Sequence, residues 1–252
     1  MSIVQSTPDV QVGRQSGRHL FDRRLFLAAA IVFALINLLG FAQTYYLKGF
    51  FATPPLPSVV VHLHGLTMTA WIALFAAQVW LVRSKQIRVH QRLGYAGVAL
   101  GVLVIVTGFF TAVRAAKFGS SSFPPGVSPL PFLVVPIFDL LMFVILFGAA
   151  IYYRKRAAAH KSLMLLTAVN FLPPAIARIP IGSLQALGPL WFFGLPTVLT
   201  LICLGLDTWR RGRLNGVFLA GALLLIASYV VRLAIMNTPQ WLAIATWLTS
   251  WA

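Results

Sequence analysis

The sequence predicts an all-α fold, a seven-helix transmembrane bundle followed by a short C-terminal interfacial helix. Three observations predict it. Hydrophobic residues fill 59% of the 252 positions and charged residues 10%, with a mean hydropathy of +0.86, outside the range of ordinary soluble domains. The apolar residues gather in long runs. At about 20 residues per crossing the chain accommodates about seven spans and short connections, which excludes a soluble catalytic domain. Finally, the 20 Lys and Arg residues, set against four acids for a net charge of +16, lie in short clusters between the runs. That placement is a topology signal and argues against a nucleic-acid partner.

The elements follow in order. Residues 1–22 form a polar N-terminal segment rich in Ser, Gln and Gly, and the run from Leu25 is too long for the core of a signal peptide. Spans are predicted at about 24–47, 58–82, 91–114, 129–153, 161–183, 189–209 and 215–236, within a membrane domain of 23–237. Turn formers fill the second connection face: Pro54, Pro55 and Pro57, then Pro124, Pro125 and Gly126. In 238–252, Thr238-Pro239 reads as an N-cap with proline at the first helical position, and Trp241, Trp247 and Trp251 suit an outer-leaflet interfacial helix.

Fifteen of the twenty cations precede the first span or lie between spans two and three, four and five, and six and seven. The positive-inside rule then predicts a cytoplasmic N-terminus and an outer C-terminus. Lys48, Arg114, Lys117, Arg178 and Arg232 fall toward the outer side. Arg114 reads as snorkelling to headgroups. The single cysteine, Cys203, has no internal disulfide partner.

Histidines are the first candidates for chemistry, because neutral imidazole ligates iron and relays protons. His19 lies in the polar N-terminal segment. His90 and His160 each open a span running in the same direction, in similar settings 70 residues apart: His90-Gln91-Arg92-Leu93 and His160-Lys161-Ser162-Leu163. Shared depth on parallel helices lets both imidazoles reach one iron, with Gly94 and Gly97 providing close approach on the third span. The same residues also read as interfacial anchors near lipid phosphates, and both readings stay open. On the second span His62 and His64 point about 200° apart, so they do not share a metal; His64, beside Gly65, is the one expected to face the bundle.

A second group lies toward the outer side: Asp139, Arg178, Arg232, His64 and Asn170. Intramembrane charges face the interior and pair. The expected pair is Asp139 with Arg178, facing a cavity open to the outside, which leaves Arg232 for an anionic ligand. Pro173, Pro174 and Pro180 interrupt the fifth span. Asp207 with Arg210 and Arg211 is an ordinary helical ion pair.

Across His62-Leu63-His64-Gly65, Trp71 and Gln78, His90-Gln91-Arg92-Leu93-Gly94, His160-Lys161-Ser162-Leu163-Met164-Leu165 and Pro174-Ala175-Ile176-Ala177-Arg178, the chain resembles a group of uncharacterised bacterial multi-pass inner-membrane proteins. More loosely it is similar to the transmembrane b-type cytochromes and ferric reductases, in which paired histidines on alternating helices hold haem. That likeness implies haem b on His90 and His160, in a bacterial inner-membrane protein exchanging electrons with quinone or another small acceptor. The fourth span has no histidine to complete an outer pair. The alternatives are a cofactor-free transporter or small-ligand binder built on the outer cluster, or an accessory subunit of a membrane complex. Walker, dinucleotide-binding, His-Glu-x-x-His and nucleophile-elbow motifs are missing, and the seventh span has no lysine for a retinal Schiff base.

Overall fold

The structure, a computed structural model, describes residues 8–51, 53, 56, 58–119 and 128–251, with side chains from Leu25 onward. Pro54, Pro55, Pro57, Pro124, Pro125, Gly126 and the side chain of His19 lie outside the described residues. The described residues are helical, without strands: α1 (Pro8–Phe41), α2 (Val59–Arg83), α3 (Ile87–Phe118), α4 (Val134–Tyr152), α5 (Ala157–Asn170), α6 (Leu172–Ile176), α7 (Gly194–Arg211), α8 (Gly216–Ile235) and α9 (Pro239–Ser250), with short turns of helix between some of them. The protein is an integral membrane protein with an all-α, multi-pass architecture. Six helical segments among the described residues are long and apolar enough to cross a bilayer: Leu25–Tyr46, Val59–Arg83, Ile87–Phe118, Pro129–Lys155, Pro189–Arg211 and Gly216–Ile235.

The expected fifth span is divided. α5 stops at Asn170, and Phe171 (φ −97°, ψ 8°) separates it from α6. Pro173 and Pro174 supply no N–H, and their rings clash with the carbonyls four residues back, at Val169 and Asn170. The helix therefore ends just before them and restarts with both prolines in its first turn, where a missing N–H costs nothing. The chain still crosses the bundle here. At one end of the segment Asn215, in the α7–α8 turn, donates to Ser162 Oγ (3.2 Å) beside the start of α5; at the other, Trp191, ahead of α7, donates to the Ile176 carbonyl (3.0 Å). This divided segment lies alongside the six long apolar ones among the described residues.

α5 and α6 are also the centre of the fold. From Ser162 to Ile176 all but two side chains are buried, and α1, α4, α7 and α8 pack around them. The closest approach involves Gly40 of α1, where a Cβ would lie 2.1 Å from the Ala175 carbonyl oxygen. Only glycine lets those two backbones meet. α2 packs on α1 and α3, and α3 on α4.

Two boundaries differ from expectation. α1 begins at Pro8, so the expected polar N-terminal segment is helical from there rather than ending before the first helix. α3 runs from Ile87 to Phe118, several residues beyond each expected end, because Ala, Val and Arg near its ends are compatible with helix although they dilute the apolar run. At the C-terminus Thr238 Oγ1 accepts from Trp241 N (3.3 Å), with Pro239 in the first turn of α9. The Trp241 indole is buried and donates to the Pro131 carbonyl (3.1 Å), docking α9 on the approach to α4. Trp247 and Trp251 remain exposed, their rings edge-to-face at 5.8 Å.

Candidate functional site

His90 and His160 each occupy the fourth position of their helices, α3 and α5. Their ring centroids are 6.3 Å apart and the ring planes cross at 77°. His160 Nδ1 lies 2.8 Å from the Ala150 carbonyl oxygen of α4. A carbonyl only accepts, so Nδ1 carries the proton and Nε2 keeps its lone pair. His90 Nδ1 is buried without a hydrogen-bond partner, as is Gln78 Oε1 on α2. Two imidazoles sharing one ion, with metal–nitrogen bonds of about 2 Å, have centroids about 6.5 Å apart. The observed 6.3 Å is close to that value for rings on opposite sides of an ion.

The donor set narrows what such an ion is. No group of three or more His, Cys, Asp or Glu occurs among the described residues. A bare zinc ion, which wants four ligands, is poorly served by two imidazoles; an iron whose equatorial ligands come from a macrocycle needs only these two. Beside the pair, a Cβ on Gly94 would have Gln78 Nε2 as its nearest neighbour, at 3.9 Å, so there is room. Gly97 is different: its Cβ position lies 3.3 Å from Leu74, and Gly101's lies 2.7 Å from Phe147. These glycines admit side chains of α2 and α4.

Toward the other side, the expected Asp139–Arg178 pair is replaced by a different one. Arg232 of α8 donates to Asp139 Oδ1 of α4 at 2.5 Å and to Ser228 Oγ at 3.2 Å. The rings of Phe138, Phe193 and Tyr229 lie 5.2–5.8 Å from its guanidinium carbon. The pair is sealed: Arg232 is 0% and Asp139 5% exposed. The expectation of an open cavity is thereby corrected, since aromatic side chains close over the cation. Asn170 adds a bond from Nδ2 to the Asp139 carbonyl (2.8 Å). Arg178 instead donates to the Pro174 carbonyl (2.6 Å) and lies over the Phe41 ring at 5.0 Å. α8 packs directly on α4 and α5, whereas Arg178 follows α6 toward α1, so equal depth did not identify the partner.

His64 faces α3, with Nδ1 3.2 Å from Thr107 Oγ1. That hydroxyl already donates to Leu103 O (2.7 Å), so it accepts from His64 and leaves Nε2 with a lone pair. The space next to His64 comes from Gly108, where a Cβ would lie 3.3 Å from the imidazole; Gly65 is covered by the Tyr45 ring. His62 is exposed, 6.3 Å from Tyr45 centroid to centroid. Arg114 lies over the Phe118 ring (5.2 Å). Asp207 pairs with Arg211 at 2.8 Å, one helical turn on. The structure thus joins His90 with His160 and joins Asp139, Arg232 and Asn170, while His64 and Arg178 stand apart from both groups. Sequence reasoning passed over Ser228, whose signal is its place four residues before Arg232, and Thr107, which carries none. Compared with protein-family models, curated proteins and solved structures, the chain matches none.

Proposed function

We propose that this protein is a b-type haem membrane protein that moves electrons to or from a quinone or another small acceptor, with His90 and His160 as axial ligands. The observation that carries this reading is the 6.3 Å centroid separation of the two imidazoles, together with the Ala150 carbonyl that holds His160 with its Nε2 lone pair free. Axial histidines are commonly oriented through their other nitrogen by a backbone carbonyl. Bound there, haem supplies one-electron chemistry. The chain's part is to hold two neutral imidazoles at ligating distance.

The test is colour. Protein expressed with haem supplementation and purified in detergent is expected to show a Soret band. His90→Ala and His160→Ala should each abolish it, while His62→Ala keeps it. A colourless wild-type preparation, or full absorbance in either single variant, overturns the proposal.

One observation favours a second reading, a cofactor-free transporter or small-ligand binder. Asn170 Oδ1 is buried without a partner at the break between α5 and α6, and interrupted spans mark many ligand sites in membranes. Colourless protein that binds a small polar ligand, with binding lost in Asn170→Leu, would establish it in place of the first.

A further inference from the structure

The turn between α4 and α5 carries a basic concave surface. Tyr152, Tyr153, Arg154, Lys155 and Arg156, five consecutive residues, line a cleft of about 460 Å3. The lining holds three cations and no acid. Local contacts set its shape: the chain makes a tight turn over Tyr153–Lys155, Arg154 donates to the Ile151 carbonyl (3.3 Å), and the Arg156 guanidinium lies 5.7 Å from the Tyr153 ring centre. The Tyr152 ring stands edge-on to Tyr153 at 5.0 Å and is 78% exposed.

Exposed apolar side chains lead away from the cleft along α4. Leu141, Val144, Ile145, Gly148 and Tyr152 are exposed on α4, at spacings of three and four that place them on one face. Gly148 has nothing within 4 Å of its Cβ position, so the stripe is indented beneath the tyrosine. A phosphodiester carries the charge the cleft calls for, and acyl chains suit the apolar stripe; phenols at the junction sit where aromatic residues favour headgroup level. After α7 the charge of Arg211 is met by Asp207, whereas the α4–α5 lining holds no acid.

We infer that the α4–α5 turn is a binding site for an anionic phospholipid of the leaflet on the basic face, its phosphate against Arg154, Lys155 and Arg156 and an acyl chain along the exposed Leu141–Tyr152 stripe. Nonspecific attraction of basic loops to anionic membranes is general; this site differs in pairing charge with a defined apolar track.

The experiment follows thermal unfolding of the detergent-purified full chain while phosphatidylglycerol, phosphatidylcholine or inorganic phosphate is added. The expected result is a rise of several degrees with phosphatidylglycerol alone, abolished in Arg154→Gln/Lys155→Gln/Arg156→Gln and retained in Arg83→Gln/Lys85→Gln/Arg88→Gln. Equal shifts from both lipids, an equal shift from inorganic phosphate, or retention of the effect in the first triple variant would overturn the inference. Should that variant not fold, Lys155→Gln and native mass spectrometry of the wild type decide: retention of phosphatidylglycerol over phosphatidylcholine, weakened by the single change, supports the site, and indiscriminate retention refutes it.

Discussion

Replacing Asp139 by Asn tests the energetics of the bundle most directly. Arg232 is wholly buried, and its contacts are the Asp139 carboxylate, the Ser228 hydroxyl and three aromatic rings. Removing the carboxylate keeps the side-chain volume but leaves a buried cation with only neutral acceptors, the new amide oxygen and the Ser228 hydroxyl. Breaking a buried pair from one side costs about 3–5 kcal/mol, most of it the uncompensated charge rather than the pair's net value. Arg232→Gln should cost a similar amount for the opposite reason, by stranding the carboxylate. The double variant Asp139→Asn/Arg232→Gln carries no buried charge and should recover a coupling energy of more than about 1 kcal/mol. Asp139→Asn with Arg178→Gln should be additive, because Arg178 bonds the Pro174 carbonyl and faces Phe41. The assay is equilibrium unfolding in mixed detergent micelles with added SDS. Strict additivity in the Asp139/Arg232 cycle, or a loss below about 1 kcal/mol for Asp139→Asn, would refute the assigned partner and the burial argument built on it.

Two further outcomes are expected. Gly40→Ala should destabilise the protein strongly, because the new Cβ would lie 2.1 Å from a backbone oxygen that no rotamer change can move, whereas Gly205→Ala, with open space around it, should be neutral or slightly stabilising in the same unfolding assay. Fifteen of twenty cations on one side predict an active alkaline phosphatase fused at the C-terminus and an inactive one fused in the α4–α5 turn; the reverse pattern would invert the topology.

The fold was legible because a bilayer demands long apolar runs and short basic connections, and both are written locally in the sequence. Its misreadings have local causes too. Residues 8–22 lack an apolar pattern, so nothing marked them as the start of α1. The prolines of the fifth span announced an interruption, but the break falls at Phe171 because a proline ring acts on the carbonyl four residues before it. The candidate sites were legible in depth and not in azimuth. Counting residues from a span's end puts Arg178 and Arg232 at similar levels; only the packing of α8 on α4 and α5 turns Arg232 to Asp139. Likewise Gly65 suggested room for its neighbour His64, while that room is filled by Tyr45 from another helix. For His90 and His160 depth was sufficient, since their helices start together at one face and run parallel.

The register of α4 against α5 separates a structural role for those histidines from a ligating one. Two α5 side chains, His160 and Asn170, reach carbonyls of α4, Ala150 and Asp139. Ten residues on one helix answer eleven on the other, as an antiparallel pair requires, so the bonds are two rungs about 15 Å apart. Ala150 lies in the last turn of α4, where carbonyls lack helical partners, and His160 provides one. Losing that rung should cost the protein about 1 kcal/mol whether or not a metal is present. His90 makes no such bond to α4: its Nδ1 is buried and unpaired, and the ring's backbone hydrogen-bond neighbour is Gln78 of α2. In protein prepared without haem, His160→Ala should therefore lose more stability than His90→Ala, while in haem-supplemented protein both should lose the Soret band alike. Equal stability losses in the haem-free variants would show that the Ala150 bond does not fix His160. A stability loss confined to His160→Ala, with colour unaffected by either change, would leave that histidine as a cap for α4 and remove both from ligation.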